Sequence, residues 1–337
     1  MDTALRPMST SQVLDRTFYL YRNNFLLFVG IAIVGPILTL IAALLQLLIF
    51  GPPVMPPQMQ PGNVDPAALQ SFFQSFLLRT IVGAVIGFIV YAIGQALASG
   101  ATIHAVSMVH LGKATTIQES YKAIQPIFWR ILRIMMTIFA IGFWPVILSY
   151  VLIIAIALSM PSLMQGGGGG AQLGFAIFVL VILVLSFVGI FGGIIWGFYV
   201  FCRYSLAVPA CTLENLPAKY SLIRSKFLTK GSIGRVLAIY LLTLLIAWVM
   251  TSVLQTPAYI ISNPFAMKPG PMSGAFLFWA FLGEFLGRTF ASPIATIAIA
   301  LIYYDERVRK EAFDLQLMMQ ALGQPSLAQA AAPASPA

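Results

Sequence analysis

The sequence predicts an all-α protein, a polytopic bundle of six transmembrane helices, and two observations carry this prediction. Apolar residues make up 59% of the 337 residues, charged residues only 9%, and the mean hydropathy is +0.91. A water-soluble chain of this length could not bury so much apolar surface. Six apolar runs also reach the roughly 20 residues that a helix needs to cross the hydrocarbon core. They cover approximately residues 25–50, 81–109, 131–160, 173–202, 236–262 and 275–304.

The positions of lysine and arginine predict the orientation of the bundle, because short basic loops are retained on the cytoplasmic side. All but three of the 19 basic residues precede the first span or follow the second, fourth or sixth. Arg79 and Lys268 lie on the other side, and Arg288 lies within the sixth span. We therefore expect both termini to be cytoplasmic and the chain to be a multi-pass protein of the cell (plasma) membrane.

The remaining composition limits the domain organisation and the partners. The net charge of +9 is distributed between apolar spans, so it predicts topology and not a nucleic-acid surface. Cys202 and Cys211 fall at the cytoplasmic end of the fourth span, where a structural disulfide is not expected. We predict one transmembrane domain over residues 1–322 and a disordered tail rich in alanine and proline over residues 323–337.

An internal repeat is predicted from three segments that precede the odd-numbered spans. Residues 11–28, 116–133 and 218–235 each show a short amphipathic helix pattern, then a polar or helix-breaking step, then the start of a span. The segments begin about 100 residues apart, which predicts three units of an interfacial helix plus a helical hairpin. The alternative is that evenly spaced loops in any six-span protein produce the same pattern.

Small residues predict where the spans pack, because lipid offers helices no hydrophobic drive to associate and close approach relies on glycine ridges. Gly-x-x-x-Gly spacings occur in the even-numbered spans only. We therefore expect the even helices to pack together at the centre and the odd helices to face lipid. The glycines are Gly83, Gly87, Gly189, Gly193, Gly197, Gly283 and Gly287.

The segment before the fifth span is a candidate for contact with anionic lipid. A basic residue near an anionic leaflet contributes about 1 kcal/mol of attraction. The competing interpretation is that these residues only fix the topology. The candidate residues are Lys219, Arg224, Lys226, Lys230 and Arg235.

Glu284 and Arg288 form a candidate intramembrane pair about halfway along the sixth span. They are four residues apart with the carboxylate first, which favours an intrahelical ion pair. Charges at this depth cost at least about 3 kcal/mol unless they are paired or hydrated. The pair either fixes the register of the bundle or lines a polar cavity.

The sequence predicts no enzyme, metal site or cofactor. Metalloprotease, serine-hydrolase and phosphate-binding-loop motifs are absent, and the chain has only two histidines, two cysteines and ten acidic residues. Nine of those acidic residues lie outside the spans, which leaves little material for an active site.

Three motifs carry a resemblance to a known family. They are Leu5-Arg6-Pro7-Met8-Ser9 with Val13-Leu14-Asp15-Arg16-Thr17-Phe18 and Tyr21-Arg22-Asn23-Asn24-Phe25; Tyr204-Ser205-Leu206-Ala207-Val208-Pro209-Ala210 with Glu214 and Ser221-x-x-Arg224-Ser225; and Tyr303-Tyr304-Asp305-x-Arg307-Val308-Arg309-Lys310-Glu311-Ala312-Phe313-Asp314-Leu315. Together they resemble bacterial proteins similar to the membrane domain of some glycerophosphoryl diester phosphodiesterases. In those enzymes the chemistry belongs to a separate barrel of about 250 residues. The resemblance therefore implies a membrane module and transfers no catalytic residue.

Two functions are compatible with these observations. The first is a non-enzymatic scaffold or accessory module that binds lipid or a protein partner through its cytoplasmic helices. The alternative is a transporter or channel-like protein for a small solute or lipid, with Glu284 and Arg288 in a polar cavity.

Overall fold

The computed structural model describes residues 8–53, 66–164, 169–262 and 273–311, and no strand occurs among them. The chain forms helices α1 (Thr10–Asn23), α2 (Phe25–Ala32), α3 (Val34–Phe50), α4 (Pro66–His110), α5 (Ile117–Ile124), α6 (Phe128–Met164), α7 (Gly169–Tyr204), α8 (Ala207–Glu214), α9 (Ala218–Thr229), α10 (Ile233–Ser262) and α11 (Gly274–Glu311). The 3₁₀ turn Gln125–Ile127 joins α5 to α6.

The six predicted spans are confirmed as helical segments long and apolar enough to cross a membrane. The first span is divided into α2 and α3, which meet at Ile33. Five spans are single long helices, namely α4, α6, α7, α10 and α11. The chain is therefore a multi-pass membrane protein. Most residues between the first and second spans, between the third and fourth and between the fifth and sixth lie outside the described residues. Lys268 and the predicted tail also lie outside them.

The short helices begin at residues that cap them. Ser9 precedes α1 and accepts a hydrogen bond from the Gln12 backbone N–H, while the Gln12 side chain accepts one from the Ser9 N–H. Thr116 and Glu119 form the same reciprocal cap at α5. Such a capping box satisfies two backbone donors that the first turn of a helix leaves unpaired.

The long helices pair as hairpins of consecutive spans: α3 with α4, α6 with α7, and α10 with α11. A short helical segment precedes each hairpin, with α1 before the first, α5 before the second and α9 before the third. This is the element order that the predicted repeat requires. A symmetry relation among the three units stays a prediction.

The glycines of the second, fourth and sixth spans pack against the other span of the same hairpin. This contact differs from the expected packing of the even-numbered spans against one another. A Cβ placed on Gly283 would lie 2.7 Å from the Leu254 carbonyl oxygen, and one on Gly287 would lie 2.6 Å from Thr251 Oγ1. Gly83 and Gly87 face α3, and Gly189, Gly193 and Gly197 face α6. A short connection brings consecutive helices together, and small residues then let the two backbones approach.

The two ends of the bundle differ in packing. We call one the core end: it comprises α1, α2, α5, α8 and α9 with residues 92–110, 128–134, 200–204, 233–239 and 289–311 of the long helices. Most of the large buried cluster lies here. We call the other the hairpin end, where long helices expose large apolar side chains such as Leu48, Ile195 and Trp248.

Helix α1 lies along α11 and runs in the opposite direction. The Met8 backbone N–H donates to Asp305 at 2.5 Å, and the Tyr21 hydroxyl donates to the Phe290 carbonyl at 2.9 Å. The fifteen residues between Phe290 and Asp305 correspond to about 22 Å of helix. For this helix the structure therefore differs from the expected orientation flat on the membrane surface, because contacts near both of its ends align it with the bundle.

Candidate lipid-facing surface and the ion-pair cluster behind it

Helix α9 exposes aromatic and aliphatic side chains to its surroundings. Tyr220 is 61% exposed, and Ile223 and Phe227 are each 52% exposed. Their spacing of three and four residues places them on one face of the helix. The exposed residues Lys219, Lys226 and Lys230 flank this stripe. We call these six residues the α9 outer face.

The opposite face of α9 is small and polar, and it points into the protein. Ser221, Ser225 and Thr229 are fully buried. The Ser225 and Thr229 hydroxyls both donate to the carbonyl of Arg203, at 3.0 and 3.1 Å. These bonds hold α9 against the carboxyl end of α7, where backbone carbonyls lack helical partners. Helix α9 therefore buries three hydroxyl side chains together with Leu228, and it exposes three large apolar side chains, which is unusual for a helix on a soluble surface.

An ion-pair cluster lies behind α9, and its first part is centred on Arg224. The Arg224 guanidinium donates to both oxygens of Glu214, at 2.9 and 3.0 Å, and to Glu311 at 2.7 Å. The Tyr303 hydroxyl also donates to Glu214. Arg307 lies within ion-pairing distance of both carboxylates. These contacts join the end of α8, the middle of α9 and the end of α11.

The second part of the cluster is centred on Asp305, whose side chain is fully buried. Its carboxylate contacts Arg235 at 2.5 Å and Arg309 at 2.8 Å, in addition to the Met8 N–H. Glu306, also buried, pairs with Lys310 at 3.2 Å. Lys310 in turn donates to the carbonyls of Leu228 and Lys230 at the carboxyl end of α9. A lysine at this position satisfies carbonyls that the helix leaves free.

The five predicted lipid contacts thus divide into two groups. Arg224 and Arg235 belong to the ion-pair cluster and are 23% and 17% exposed. Burial by itself would lower the pKa of Arg224, but the hydrogen bonds and charges of Glu311 and Glu214 hold that pKa above its ordinary value. Arg224 and Arg235 therefore join helices in this structure. Lys219, Lys226 and Lys230 are exposed, and the Lys226 ammonium lies 5.2 Å from the centre of the Tyr204 ring.

Glu284 and Arg288 form the ion pair that their spacing predicts, with Nη2 and Oε1 2.6 Å apart. Both side chains are about half exposed. The Arg288 guanidinium also lies 5.6 Å from the centre of the Tyr91 ring on α4. The pair is therefore neither enclosed by protein nor directed away from the neighbouring hairpin.

Sequence patterns did not predict the carboxylates that pair with Arg224 and Arg235. Glu214 and Asp305 belong to the motifs that carry the resemblance and Glu306 does not, and none of the three was predicted to pair with Arg224 or Arg235. In the structure all three motifs meet: Met8 contacts Asp305, and Glu214 contacts Arg224 and Tyr303. The signal that could have found them is the density of acidic and basic residues at the end of a long apolar helix.

Cys202 and Cys211 are both buried and free. Comparisons of the chain with protein-family models, with curated proteins and with solved structures find no match. The fold therefore defines a class, a helical multi-pass membrane protein, and the function is argued from the surfaces described above.

Proposed function

We propose that this chain is a non-enzymatic membrane module that binds anionic lipid through the α9 outer face. The observation that carries this proposal is the exposure of Tyr220, Ile223 and Phe227 on one face of α9, while the hydroxyl groups of the helix are buried. In water this face would expose three large apolar side chains. At the boundary of a bilayer the same arrangement buries them among lipid headgroups and acyl chains.

Charge and position favour lipid over a protein partner as the occupant of this face. Lysines flank the apolar stripe, and each contributes about 1 kcal/mol of attraction to an anionic leaflet. Helix α9 contacts the end of α7 through Arg203 and continues through Gly231 into α10, so it lies where two spans leave the apolar region. Aromatic rings are enriched at that depth.

The same proposal assigns the core end to the cytoplasmic side of the cell membrane, because most of the basic residues lie there. The ion-pair cluster supports a scaffold role by holding α8, α9, α10, α11 and the N-terminal segment in one arrangement. This role is also what the resemblance to the phosphodiesterase membrane domain implies for a module without the barrel.

The experiment compares two triple variants in nanodiscs of phosphatidylcholine with and without phosphatidylglycerol. Lys219, Lys226 and Lys230 are replaced by glutamine in one variant. Arg22, Lys113 and Lys122, which are also exposed and lie in segments predicted to be cytoplasmic, are replaced by glutamine in the other. Both variants lose the same formal charge, so a general effect of charge acts on both. The readout is the number of phosphatidylglycerol molecules retained per protein, measured by mass spectrometry after release from the nanodisc.

We expect the α9 variant to lose most of the enrichment of phosphatidylglycerol and the control variant to keep it. Three lost contacts of about 1 kcal/mol each correspond to a reduction in affinity of more than about a hundredfold. Equal retention by the wild type and the α9 variant would contradict lipid binding at this face. Equal losses in both variants would show a general charge effect and would also contradict the proposal.

A further inference from the structure

Glu284 and Arg288 lie on a partly exposed face of α11 that also carries Ala295 and Ile299. Arg288 precedes Ala295 by seven residues and Ile299 by eleven, and Glu284 precedes Ala295 by eleven. Seven and eleven residues are close to two and three helical turns, so these residues share one face. Ala295 and Ile299 border a narrow apolar gap together with Phe201 and Cys202 of α7. The pair therefore faces the space between hairpins, on the hairpin-end side of that gap.

The first hairpin also contributes to this space. Tyr91 of α4 places its ring 5.6 Å from the Arg288 guanidinium. Despite this neighbour, the side chains of Arg288 and Glu284 are 43% and 47% exposed. Further along the same helix, the side chains of Asp305 and Glu306 are 0% and 1% exposed. The space between the hairpins is therefore closed at the core end and open beside Arg288.

The depth of the pair makes this opening functionally relevant. Glu284 and Arg288 lie within the sixth span, which was predicted over residues 275–304, and therefore within the hydrocarbon core. The ion pair joins one oxygen of Glu284 to one nitrogen of Arg288, and at this depth the remaining polar atoms of the two exposed side chains require water or a polar ligand. We propose that the hairpins enclose a water-accessible crevice, open toward the hairpin end, in which Glu284, Arg288 and Tyr91 bind a zwitterionic group.

Charge balance selects a zwitterion as the ligand. The Glu284–Arg288 pair carries no net charge, so an ion of either sign would leave an uncompensated charge in a low-dielectric site. A group with one anionic and one ammonium centre keeps the site neutral. Its anion contacts the Arg288 guanidinium, and its ammonium contacts the Glu284 carboxylate or the face of the Tyr91 ring. Free zwitterionic solutes and lipid headgroups such as phosphoethanolamine share this chemistry.

The first test measures access to water. Arg288→Cys and Trp248→Cys are placed separately in nanodiscs and treated with a membrane-impermeant thiol reagent. Trp248 is the matched control, because it is 68% exposed and lies one turn from Thr251, which packs on Gly287. The native cysteines are buried and give the background rate. We expect position 288 to react at least about tenfold faster than position 248, since apolar lipid excludes a charged reagent. Equal slow rates would overturn the proposal.

The second test measures binding in a nonionic detergent. We expect glycine betaine at millimolar concentration, phosphatidylethanolamine, or both to raise the unfolding temperature of the wild type. The double variant Glu284→Gln with Arg288→Gln should lose this response, while Lys219→Gln with Lys226→Gln should keep it. A response to glycine betaine shows that a free zwitterion is sufficient for binding, and a response to phosphatidylethanolamine alone identifies a lipid.

Two outcomes of the second test would overturn the zwitterion site. One is the absence of any response to either zwitterion. The other is a response to phosphatidylglycerol that equals the response to phosphatidylethanolamine and disappears in the Glu284 and Arg288 double variant, because the site would then bind a net anion. The α9 lysine variant separates this site from the α9 outer face.

Discussion

The core end and the hairpin end treat charged and apolar groups in opposite ways. At the core end, carboxylates such as Asp305 and Glu306 are buried and paired, and the apolar cluster is enclosed by helices from all three hairpins. At the hairpin end, aliphatic and aromatic side chains are exposed along most of α7 and α10. The comparison indicates that the hairpin end is adapted to lipid and the core end to the neighbourhood of water. Lipid covers exposed apolar surface, whereas near water the protein must provide its own packing.

The largest expected effect comes from breaking the buried pairs of the core end. Asp305→Ala removes the partner of Arg235, Arg309 and the Met8 N–H. Removing one member of a buried ion pair leaves the other charge uncompensated and costs about 3–5 kcal/mol. We therefore expect a large fall in the thermal unfolding temperature in detergent.

The matched control for this prediction is Asp15→Ala, which removes an exposed carboxylate from α1. Surface substitutions of this kind change the free energy of unfolding by no more than about 0.5 kcal/mol. If the two variants unfold at the same temperature, the core end is not held by the Asp305 contacts.

A smaller effect is expected at the crossing of α3 and α4, where Gly94 meets Gly35. A Cβ at position 94 would lie 2.9 Å from the Gly35 Cα, and backbone cannot move aside as a flexible side chain can. Overpacking of this kind costs about 1–3 kcal/mol. We expect Gly94→Ala to lower the unfolding temperature of the protein.

Gly192 on α7 provides the comparison, because a Cβ there would meet no atom within 4 Å. Alanine is the better helix former, so Gly192→Ala should be neutral or stabilise the protein slightly. If Gly94→Ala and Gly192→Ala lower the unfolding temperature equally, the close approach of α3 and α4 is not the cause of the loss.

The smallest effect is expected at the far edge of the hairpin end. Arg79 donates to the carbonyls of Gly51 at 2.5 Å and Pro52 at 2.9 Å, and thereby satisfies acceptors beyond the carboxyl end of α3. Arg79→Gln should lose about 1 kcal/mol, since the contact is partly exposed. Hydrogen exchange resolved to segments should accelerate in the last turn of α3 and remain unchanged in α9. Unchanged exchange in α3 would exclude this capping role.

Sequence patterns predicted the parts of the structure that depend on local spacing. The six spans follow from run length, and the Glu284–Arg288 pair follows from a four-residue separation on one helix. Local spacing could not predict which of the five candidate lipid contacts are exposed and which are held in ion pairs. Arg224 and Arg235 are fixed by Glu311 and Asp305, which lie on a helix that follows much later in the chain. The close approach of Gly35 and Gly94 could not be predicted for the same reason, because it is a contact between two helices and not a spacing within one.

The contact of α9 with lipid is the central claim, and spin labels on single cysteines test it most directly. One label replaces Ile223 on the α9 outer face, and a second replaces Lys122, which is exposed on α5. In nanodiscs that contain anionic lipid, we predict that the label at 223 collides mainly with dissolved oxygen, which concentrates in lipid. The label at 122 should collide mainly with a water-soluble nickel complex. Preferential collision of the label at 223 with the nickel complex would place the α9 outer face in water and contradict the account.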